Sequence, residues 1–325
     1  MIYEIFQADC FEWLGERDAN SIHGVLTDPP YGLIEFSHKE LTKLRNGNRG
    51  GVWRIPPSIG GAKRDPLPRF TVLSEQEKQN LREYMRDWGL ALLPALVPGA
   101  HVCVAGHPML QYLVQLGMAE AGYEVRGAIM RLYTSFRGGD RPKGAEQEFP
   151  EVCVTPRSAA EPWMLFRKPI SERTVAQNLR KWGTGGLRRL NKDKPLPEVI
   201  QSGRTPEIEA AISDHPCLKP QHLLRILARA MLPLGEGVLL DPDLGSGSTI
   251  AAARAIGYTS VGVELDAHYF ATARGNIESL SSMYPEVMGD TLDIPAQPVG
   301  GLRPRARKSQ PDMFNGGIAT FTAQT

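Results

Sequence analysis

Two short motifs in this sequence of 325 residues combine side chains that can do chemistry with backbone that can hold a ligand. The first is Asp28-Pro29-Pro30-Tyr31, which directly follows a short apolar run. The second extends from Asp243 to Thr249 and contains two glycines, and an acid, Glu264, comes after it. Each motif follows a predicted strand, and ligand clefts form at the carboxyl ends of strands in open α/β sheets.

The first motif suits the activation of an amine on a nucleic-acid base. Such an amine is a poor nucleophile because its lone pair is delocalised into the ring. The carboxylate of Asp28 and a backbone carbonyl held by Pro29 and Pro30 could each accept one N–H and draw the nitrogen towards tetrahedral geometry. The ring of Tyr31 could stack on a base that has swung out of the helix. The alternative interpretation is an ordinary Asp-Pro turn that closes a strand.

The second motif favours the binding of a nucleoside. Gly245 and Gly247 let the backbone approach a ligand closely. Glu264 ends the next predicted strand, where a carboxylate can accept hydrogen bonds from a ribose. Nicotinamide dinucleotides and S-adenosylmethionine both fit this description. Ile250 stands where the dinucleotide fingerprint requires glycine or alanine, and this weakens the dehydrogenase interpretation.

The elements that must position these motifs alternate between strands and helices, which predicts an α/β fold. The predicted strands are 3–8, 24–27, 101–105, 123–134, 163–166, 238–240 and 260–264. The predicted helices are 10–16, 75–97, 108–121, 219–232, 249–256 and 267–281. Ser74 is the predicted N-cap of the second helix, and Pro98 is predicted to end it.

Basic residues are concentrated in two segments, although the whole chain carries 37 basic and 36 acidic residues. Residues 36–69 contain eight Lys or Arg against two acids, and residues 125–195 contain fifteen against seven. Long loops of this composition near a catalytic cleft could neutralise phosphates and supply donors to base edges. The candidate DNA-binding residues in the first segment are Arg45, Arg49, Lys63 and Arg64.

The composition is typical of a folded, soluble protein. Apolar residues make up 42% of the chain and charged residues 22%, which excludes wholesale disorder. The four cysteines are widely spaced, so we expect neither a metal site nor a disulfide framework. The chain has no run of about 20 apolar residues, and we therefore expect a cytoplasmic protein without a membrane span.

The motifs and their order resemble the amino-group DNA methyltransferases, which produce N6-methyladenine or N4-methylcytosine. The Asp-Pro-Pro-Tyr motif comes first, a long basic region follows, and the segment 215–220 (His-Pro-Cys-Leu-Lys-Pro) then precedes the glycine motif. This order is similar to the permuted β-type arrangement, in which the catalytic motif and target-recognition region precede the cofactor motifs. The resemblance covers residues 3–34 and 99–282. It implies a Rossmann-like class I fold of the S-adenosylmethionine-dependent methyltransferases.

The resemblance also implies roles for individual residues. Asp28, Pro29, Pro30 and Tyr31 match the catalytic motif. The residues that match cofactor-binding positions are Asp9, Cys10, His215, Lys219, Pro220, Asp241, Asp243, Gly245, Ser246, Gly247, Ser248, Thr249 and Glu264. Among them, Asp9 would lie near the cofactor adenine, Lys219 and Pro220 near the methionine end, and Glu264 at the ribose. The family usually has phenylalanine at the position of Asp243, so one contact to the cofactor is expected to differ.

The resemblance further implies how the chain is divided. Residues 1–35 and 72–135 would form the catalytic half of the methyltransferase domain, and 36–71 a basic insertion. Residues 136–212 would form the target-recognition region and 213–290 the cofactor-binding half. Residues 291–325, rich in Gly, Pro and Arg, are expected to be a disordered tail.

The function implied is methyl transfer from S-adenosylmethionine to an exocyclic amine in double-stranded DNA. Aspartate at position 28 favours N6 of adenine over N4 of cytosine. A homodimer and a cognate restriction enzyme are further expected partners, and a membrane is not. Two alternatives are a catalytically silent DNA-binding protein on the same fold and a methyltransferase that acts on RNA or on a protein glutamine.

Overall fold

The computed structural model describes residues 3–32, 73–133, 139, 141–213 and 218–284, with the backbone of two short strands at 58–59 and 62–63. The strands are β1 (Tyr3–Gln7), β2 (Ile22–Thr27), β3 (Ser58–Ile59), β4 (Ala62–Lys63), β5 (Leu96–Ala105), β6 (Glu124–Leu132), β7 (Ala160–Arg167), β8 (Val199–Gln201), β9 (Val238–Asp241) and β10 (Thr259–Glu264). The helices are α1 (Cys10–Gly15), α2 (Glu75–Leu92), α3 (Gln111–Glu120), α4 (Val175–Trp182), α5 (Glu207–Ala210), α6 (Gln221–Met231), α7 (Ser248–Ala255) and α8 (Ala267–Ser281). Across these described ranges, no helix has the length and apolar character needed to span a membrane.

One eight-stranded sheet organises the chain, in the order β1-β10-β9-β2-β5-β7-β6-β8. The strands from β1 to β5 in this order are parallel, whereas β7 is antiparallel to both of its neighbours. The chain proceeds from β9 towards one edge of the sheet and from β2 towards the other. The gap between β9 and β2 is therefore the topological switch point, where open α/β sheets bind ligands.

Two apolar layers cover the two faces of the sheet, because neighbouring residues along a strand point to opposite sides. Val25 of β2 and Val102 of β5 pack in the layer that contains α1, α2 and α3. Leu26 and Cys103, the next residues along these strands, pack in the layer that contains α6 and α7. Both faces of the central strands are thus buried, and the strands are nearly continuous apolar runs. This helix–sheet–helix arrangement confirms the predicted α/β fold.

The packing of α2 against α3 requires a small residue at Gly117. A Cβ atom at this position would lie 2.5 Å from the carbonyl oxygen of Arg82 and 2.9 Å from Cβ of Met85. The N-cap predicted at Ser74 is present, and it forms a capping box in which Ser74 and Glu77 exchange hydrogen bonds. These contacts fix α2 beside the carboxyl ends of β2 and β5, where its side chains reach the site.

Two details of the predicted elements are wrong. The helix predicted over 75–97 ends at Leu92, because Pro94 has no N–H to donate and so cannot continue the helical hydrogen bonds. β5 begins at Leu96, so Pro98 lies within a strand near its amino end. Furthermore, α4, α5, β8 and the two-residue strands β3 and β4 were not predicted. Thr174 and Gly183, which cap α4, were available signals.

Candidate active site

The two sequence motifs meet at the switch point of the sheet. Asp28 directly follows β2, Asp241 ends β9, and Glu264 ends β10. A hydrogen bond from Thr27 Oγ1 to Asp243 Oδ2, 3.1 Å long, joins the end of β2 to the glycine loop. The fold therefore brings together residues that are more than two hundred positions apart in the chain.

Asp28 has one oxygen that is paired and one that is not. Its Oδ2 forms an ion pair with Nζ of Lys219, the residue that precedes α6 by two positions. Its Oδ1 is buried and has no hydrogen-bond partner in the described part of the chain. A buried acceptor without a partner costs free energy, and a ligand N–H would remove that cost.

Tyr31 is held by a carboxylate outside the sequence motifs. Its hydroxyl donates to Oε1 of Glu161 at 2.7 Å, and Nζ of Lys219 lies 5.6 Å from the centre of its ring. Oε2 of Glu161 accepts from Nη1 of Arg131 at 3.0 Å and from Nε1 of Trp163 at 3.1 Å. Burial alone would raise the pKa of Glu161, but the charges of Lys219 and Arg131 lower it to about 2. Glu161 is therefore ionised at neutral pH.

Two carboxylates, of the buried Asp241 and the half-buried Asp243, lie at the start of the glycine loop. Burial raises the pKa of Asp241 to about 7, and the charge of Asp243 acts in the same direction. Burial also raises the pKa of Asp243 to about 6, with contributions from the charges of Glu264 and Asp28. The region accumulates negative charge that a bound cation would neutralise.

The glycine loop has the backbone that its sequence predicts. Gly245 and Gly247 have φ values of +50° and +80°, and a Cβ at Gly247 would lie 2.8 Å from Cγ1 of Ile277. The side chains of Ser246, Ser248 and Thr249 are buried within the loop and the start of α7. These three residues were predicted to bind the cofactor, and the structure places their side chains in the interior of the turn.

Glu264 connects the loop to the end of β10. Its Oε2 accepts from the backbone N–H of Gly245 at 2.8 Å, and its Oε1 accepts from that of Asp266 at 2.9 Å. Each carboxylate oxygen can accept a further hydrogen bond, so these contacts leave capacity for a ligand hydroxyl.

Asp9 and Cys10 lie at the start of α1, just after β1, which pairs with β10. Asp9 caps α1, and its Oδ1 accepts from the N–H of Phe11 at 2.8 Å. Burial raises the pKa of the Cys10 thiol to about 12, with contributions from the charges of Asp243 and Asp9. Cys10 is thus a protonated, packed thiol near Asp243.

A cavity of about 270 Å³ opens beside both motifs. Its walls come from the catalytic motif, from α2, from the end of β5 and the start of α3, and from the glycine loop. The lining residues are Pro29, Pro30, Tyr31, Leu81, Tyr84, Met85, Val104, Ala105, Gly106, His107, Leu110, Val114 and Asp243. A mostly apolar cavity with a carboxylate at one end suits a flat ring.

Several predicted residues cannot be placed. His215, Arg45, Arg49 and Arg64 lie outside the described residues, and for Lys63 only the backbone, in β4, is described. Pro220 is buried at the N-cap position of α6, next to Lys219.

The region 136–212, predicted to recognise the target, is divided between the two ends of the central strands. Residues 141–159 connect the carboxyl end of β6 to the start of β7, at the strand ends where Asp28 also lies. In contrast, α4 lies near the amino end of β5, where Asn178 Nδ2 donates to the carbonyl of Pro98 at 2.8 Å. Part of the predicted basic region thus lies at the amino ends of the strands, opposite the catalytic motif.

Sequence reasoning did not identify Glu161 or Arg131 as site residues. Both are charged residues within strands whose other positions are largely apolar, and both are buried. A charged residue in such a pattern is seldom buried without a partner, and this was the available signal.

The residues present fit S-adenosylmethionine. The glycine loop offers close backbone approach, Glu264 offers acceptor capacity, and the carboxylates of Asp241 and Asp243 suit a ligand that carries a cationic sulfonium. Oδ1 of Asp28, which no described residue contacts through a hydrogen bond, suits a substrate amine. The arrangement can therefore hold a cationic cofactor beside an activated nitrogen.

Comparison with known proteins agrees with this chemistry. A family model described as DNA methylase, of the N6 and N4 type, matches residues 22–275. The type II methyltransferase M2.DpnII of Streptococcus pneumoniae is 21% identical over 275 residues, covering 85% of this chain and 89% of the relative. The type II methyltransferase M.HindIII of Haemophilus influenzae is 24% identical over 287 residues, covering 81% and 91%.

Solved structures share the fold. TTHA0409 of Thermus thermophilus, complexed with S-adenosyl-L-methionine, superposes with a TM-score of 0.55 at 17% identity, covering 87% of this chain and 96% of that one. The cytosine-N4-specific PvuII DNA methyltransferase superposes with a TM-score of 0.54 at 13% identity, covering 86% and 92%. These likenesses confirm the predicted Rossmann-like class I methyltransferase fold. Since the family model matches most of the sequence, the chain belongs to the N6/N4 DNA methylase family.

Proposed function

We propose that the protein transfers the methyl group of S-adenosylmethionine to N6 of adenine in double-stranded DNA, at a specific sequence. The observation that carries the proposal is Asp28, whose Oδ1 is a buried acceptor without a partner between Tyr31 and the glycine loop, among the residues described. Membership of the DNA methylase family supports the substrate class. Aspartate at position 28 supports adenine, by family habit.

Asp28 and the carbonyl of Pro29 act on the target amine. Oδ1 of Asp28 accepts one N–H and the carbonyl accepts the other, which localises the nitrogen lone pair. S-adenosylmethionine would supply an electrophilic methyl group when it is bound and would leave as the neutral thioether, and the methylated nitrogen loses one proton to Asp28 or to water. Tyr31 stacks on the extruded base, and the apolar walls of the cavity exclude water from it. Lys219 balances the charge of Asp28.

Nucleoside mass spectrometry tests the proposal directly. The protein is incubated with unmethylated genomic DNA and isotopically labelled cofactor, and the DNA is then digested to nucleosides. Labelled N6-methyladenine is the expected product. Labelled N4-methylcytosine would contradict the choice of adenine while supporting the family chemistry. An unlabelled digest would contradict DNA methylation, and parallel incubations with RNA and with protein test the alternative substrates.

Calorimetry with the cofactor alone separates the enzyme from a catalytically silent DNA-binding protein. We expect S-adenosylmethionine to bind, since Glu264 keeps acceptor capacity and Gly245 and Gly247 keep the loop open. A silent protein in which Asp243 blocks the pocket would bind none.

Cofactor binding is expected to release protons near neutral pH. Asp241 and Asp243 have raised pKa values of about 7 and about 6, and a bound cation lowers them, so protons leave. Affinity should therefore rise with pH between about 5.5 and 7.5. Calorimetry in two buffers of different ionisation enthalpy measures the release. Asp243→Asn is expected to reduce it, and proton uptake or a pH-independent affinity would contradict this account.

The same raised pKa values predict how the free protein responds to pH. Because the folded state holds protons that the unfolded state has lost, the free energy of unfolding falls as pH rises from about 4 towards the folded pKa values. Thermal unfolding between these pH values measures the fall, and bound cofactor should diminish it.

We further propose that the first basic segment binds DNA. Replacing Arg45, Arg49, Lys63 and Arg64 with uncharged residues is expected to weaken duplex binding and to flatten its salt dependence. Removing one phosphate interaction lowers the slope of log affinity against log salt by about 0.9. Titration of duplex at several salt concentrations measures this slope, and cofactor affinity should not change.

A charge-matched control comes from the amino ends of the strands, opposite the catalytic motif. Arg173, Arg180, Lys181 and Arg189 are exposed, and neutralising all four changes the net charge by the same amount. This variant is expected to keep the wild-type slope. Equal slopes for the two quadruple variants would remove residues 36–69 from the DNA-binding surface.

A homodimer and a cognate restriction enzyme stay predictions. The type II methyltransferases that resemble this chain support the second. Sedimentation of the purified protein tests the first. For the second, cleavage of unmethylated but not methylated DNA by an extract of the source cells is the expected result.

A further inference from the structure

Glu161 makes four polar contacts, two of them to Tyr31 and Lys219 of the candidate active site. Oε1 accepts from the Tyr31 hydroxyl at 2.7 Å and lies 3.6 Å from Nζ of Lys219. Oε2 accepts from Arg131 at 3.0 Å and from Trp163 at 3.1 Å. Only 8% of the Glu161 side chain is exposed. β6 and β7 therefore fix the position of Glu161. Its contacts in turn restrict Tyr31, which follows β2, and Lys219, which precedes α6.

Building on the function proposed above, we propose that Glu161 is a positioning residue for methyl transfer, which fixes the ring of Tyr31 and the ammonium group of Lys219 around Asp28. A hydrogen bond to a carboxylate is short and strong, so it restricts the plane in which the Tyr31 ring lies. The ring is the surface on which the extruded base stacks, and small errors in its placement lower the rate of transfer.

The interaction with Lys219 has a second consequence. In the structure, Nζ of Lys219 pairs with Asp28 and stands 3.6 Å from Glu161. When a target amine binds Asp28, the ammonium group can move towards Glu161 and keep an ionised partner. Without Glu161 the ammonium group would lose one of its buried anionic neighbours, and its attraction to Asp28 would no longer be shared. Glu161 therefore reduces the competition between Lys219 and the substrate amine for the Asp28 carboxylate.

A second ion pair on the same two strands provides a matched control. Glu161 and Arg131 face each other across β6 and β7, and so do Glu124 and Arg167 near the other end of these strands. Both glutamates join β6 to β7, but of the two only Glu161 reaches the catalytic motif. If Glu161 only joined the strands, replacing either glutamate with glutamine should have a similar effect on transfer.

The experiment compares Glu161→Gln, Tyr31→Phe, the double variant and Glu124→Gln. Single-turnover transfer to DNA that the wild type methylates is measured with cofactor affinity and thermal unfolding. Glu161→Gln and Tyr31→Phe are each expected to slow transfer about tenfold, with cofactor affinity within about twofold of the wild type. The two losses should combine to less than their product, because Glu161→Gln removes the charge of the acceptor whose hydrogen bond Tyr31→Phe deletes. Glu124→Gln should transfer within about twofold of the wild type.

Additive effects of the two substitutions, or equal rates for Glu161→Gln and Glu124→Gln, would overturn the proposal. If Glu161→Gln does not fold, Tyr31→Phe decides alone, because it keeps the ring and deletes the hydrogen bond to Glu161. Wild-type transfer by Tyr31→Phe would then overturn the proposal. A wild type that methylates no DNA contradicts the proposed function instead. In that case, coupling of Tyr31→Phe and Glu161→Gln in unfolding supports the hold on Tyr31, and its absence overturns it.

Discussion

Replacing Asp28 with alanine is expected to lower the rate of methyl transfer at least about 10³-fold, while cofactor affinity stays within about threefold of the wild type. In the proposed mechanism the carboxylate acts on the amine of the target base, and Oδ1, which has no partner among the described residues, is the atom available for that interaction. The glycine loop, which is proposed to bind the cofactor, instead depends on Glu264 and the glycines. The loss should therefore appear in the rate of the chemical step.

After the substitution Lys219 still has an anionic neighbour, since its Nζ lies 3.6 Å from Glu161. We accordingly expect Asp28→Ala to fold. Single-turnover kinetics and calorimetry measure the two quantities, and Asp28→Asn provides a variant of the same size without the charge. Asp18→Ala, at an exposed aspartate, is a control that should transfer at the wild-type rate. A parallel loss of cofactor affinity and rate would instead assign Asp28 to the cofactor.

The fold could be predicted largely because most of its strands are apolar runs that prolines or glycines precede or follow. The errors arose where a local signal was overlooked or a tertiary contact decided. Pro94 ends α2 earlier than the apolar periodicity indicated. α4 is a short helix in a basic segment, and it is held by the hydrogen bond of Asn178 to the carbonyl of Pro98, which no local pattern reveals.

The site was predictable where its residues are adjacent in sequence. The catalytic motif and the glycine loop each fall within a few positions, and the family match chooses S-adenosylmethionine over a nicotinamide dinucleotide for the loop. Glu161 could not be found in this way, because its hydrogen bond with Tyr31 joins residues 130 positions apart. It depends on β7 being antiparallel beside β5, which brings the start of β7 to the carboxyl end of β2.

Replacing Glu264 with alanine is expected to weaken the cofactor at least about tenfold, because a hydrogen bond to a charged acceptor contributes roughly 1.5–3 kcal/mol. The structure adds a second effect, since Glu264 also accepts from the N–H groups of Gly245 and Asp266. Alanine would therefore loosen the loop as well as remove a ribose acceptor. Calorimetry with S-adenosylmethionine measures the combined loss.

A cofactor analogue without ribose hydroxyls separates the two effects. If Glu264 binds the ribose, the analogue should bind the wild type weakly and lose little more affinity in Glu264→Ala, since the ribose hydrogen bond is already absent. If Glu264 only holds the loop, the variant should lose the same factor for both ligands. Asp266→Ala is the matched control: it removes the N-cap of α8 beside Glu264 but keeps the Glu264 carboxylate, and we expect near wild-type affinity. Equal losses for the two ligands would place the ribose away from Glu264. The role of Glu264 would then be to hold the Gly245 turn against β10.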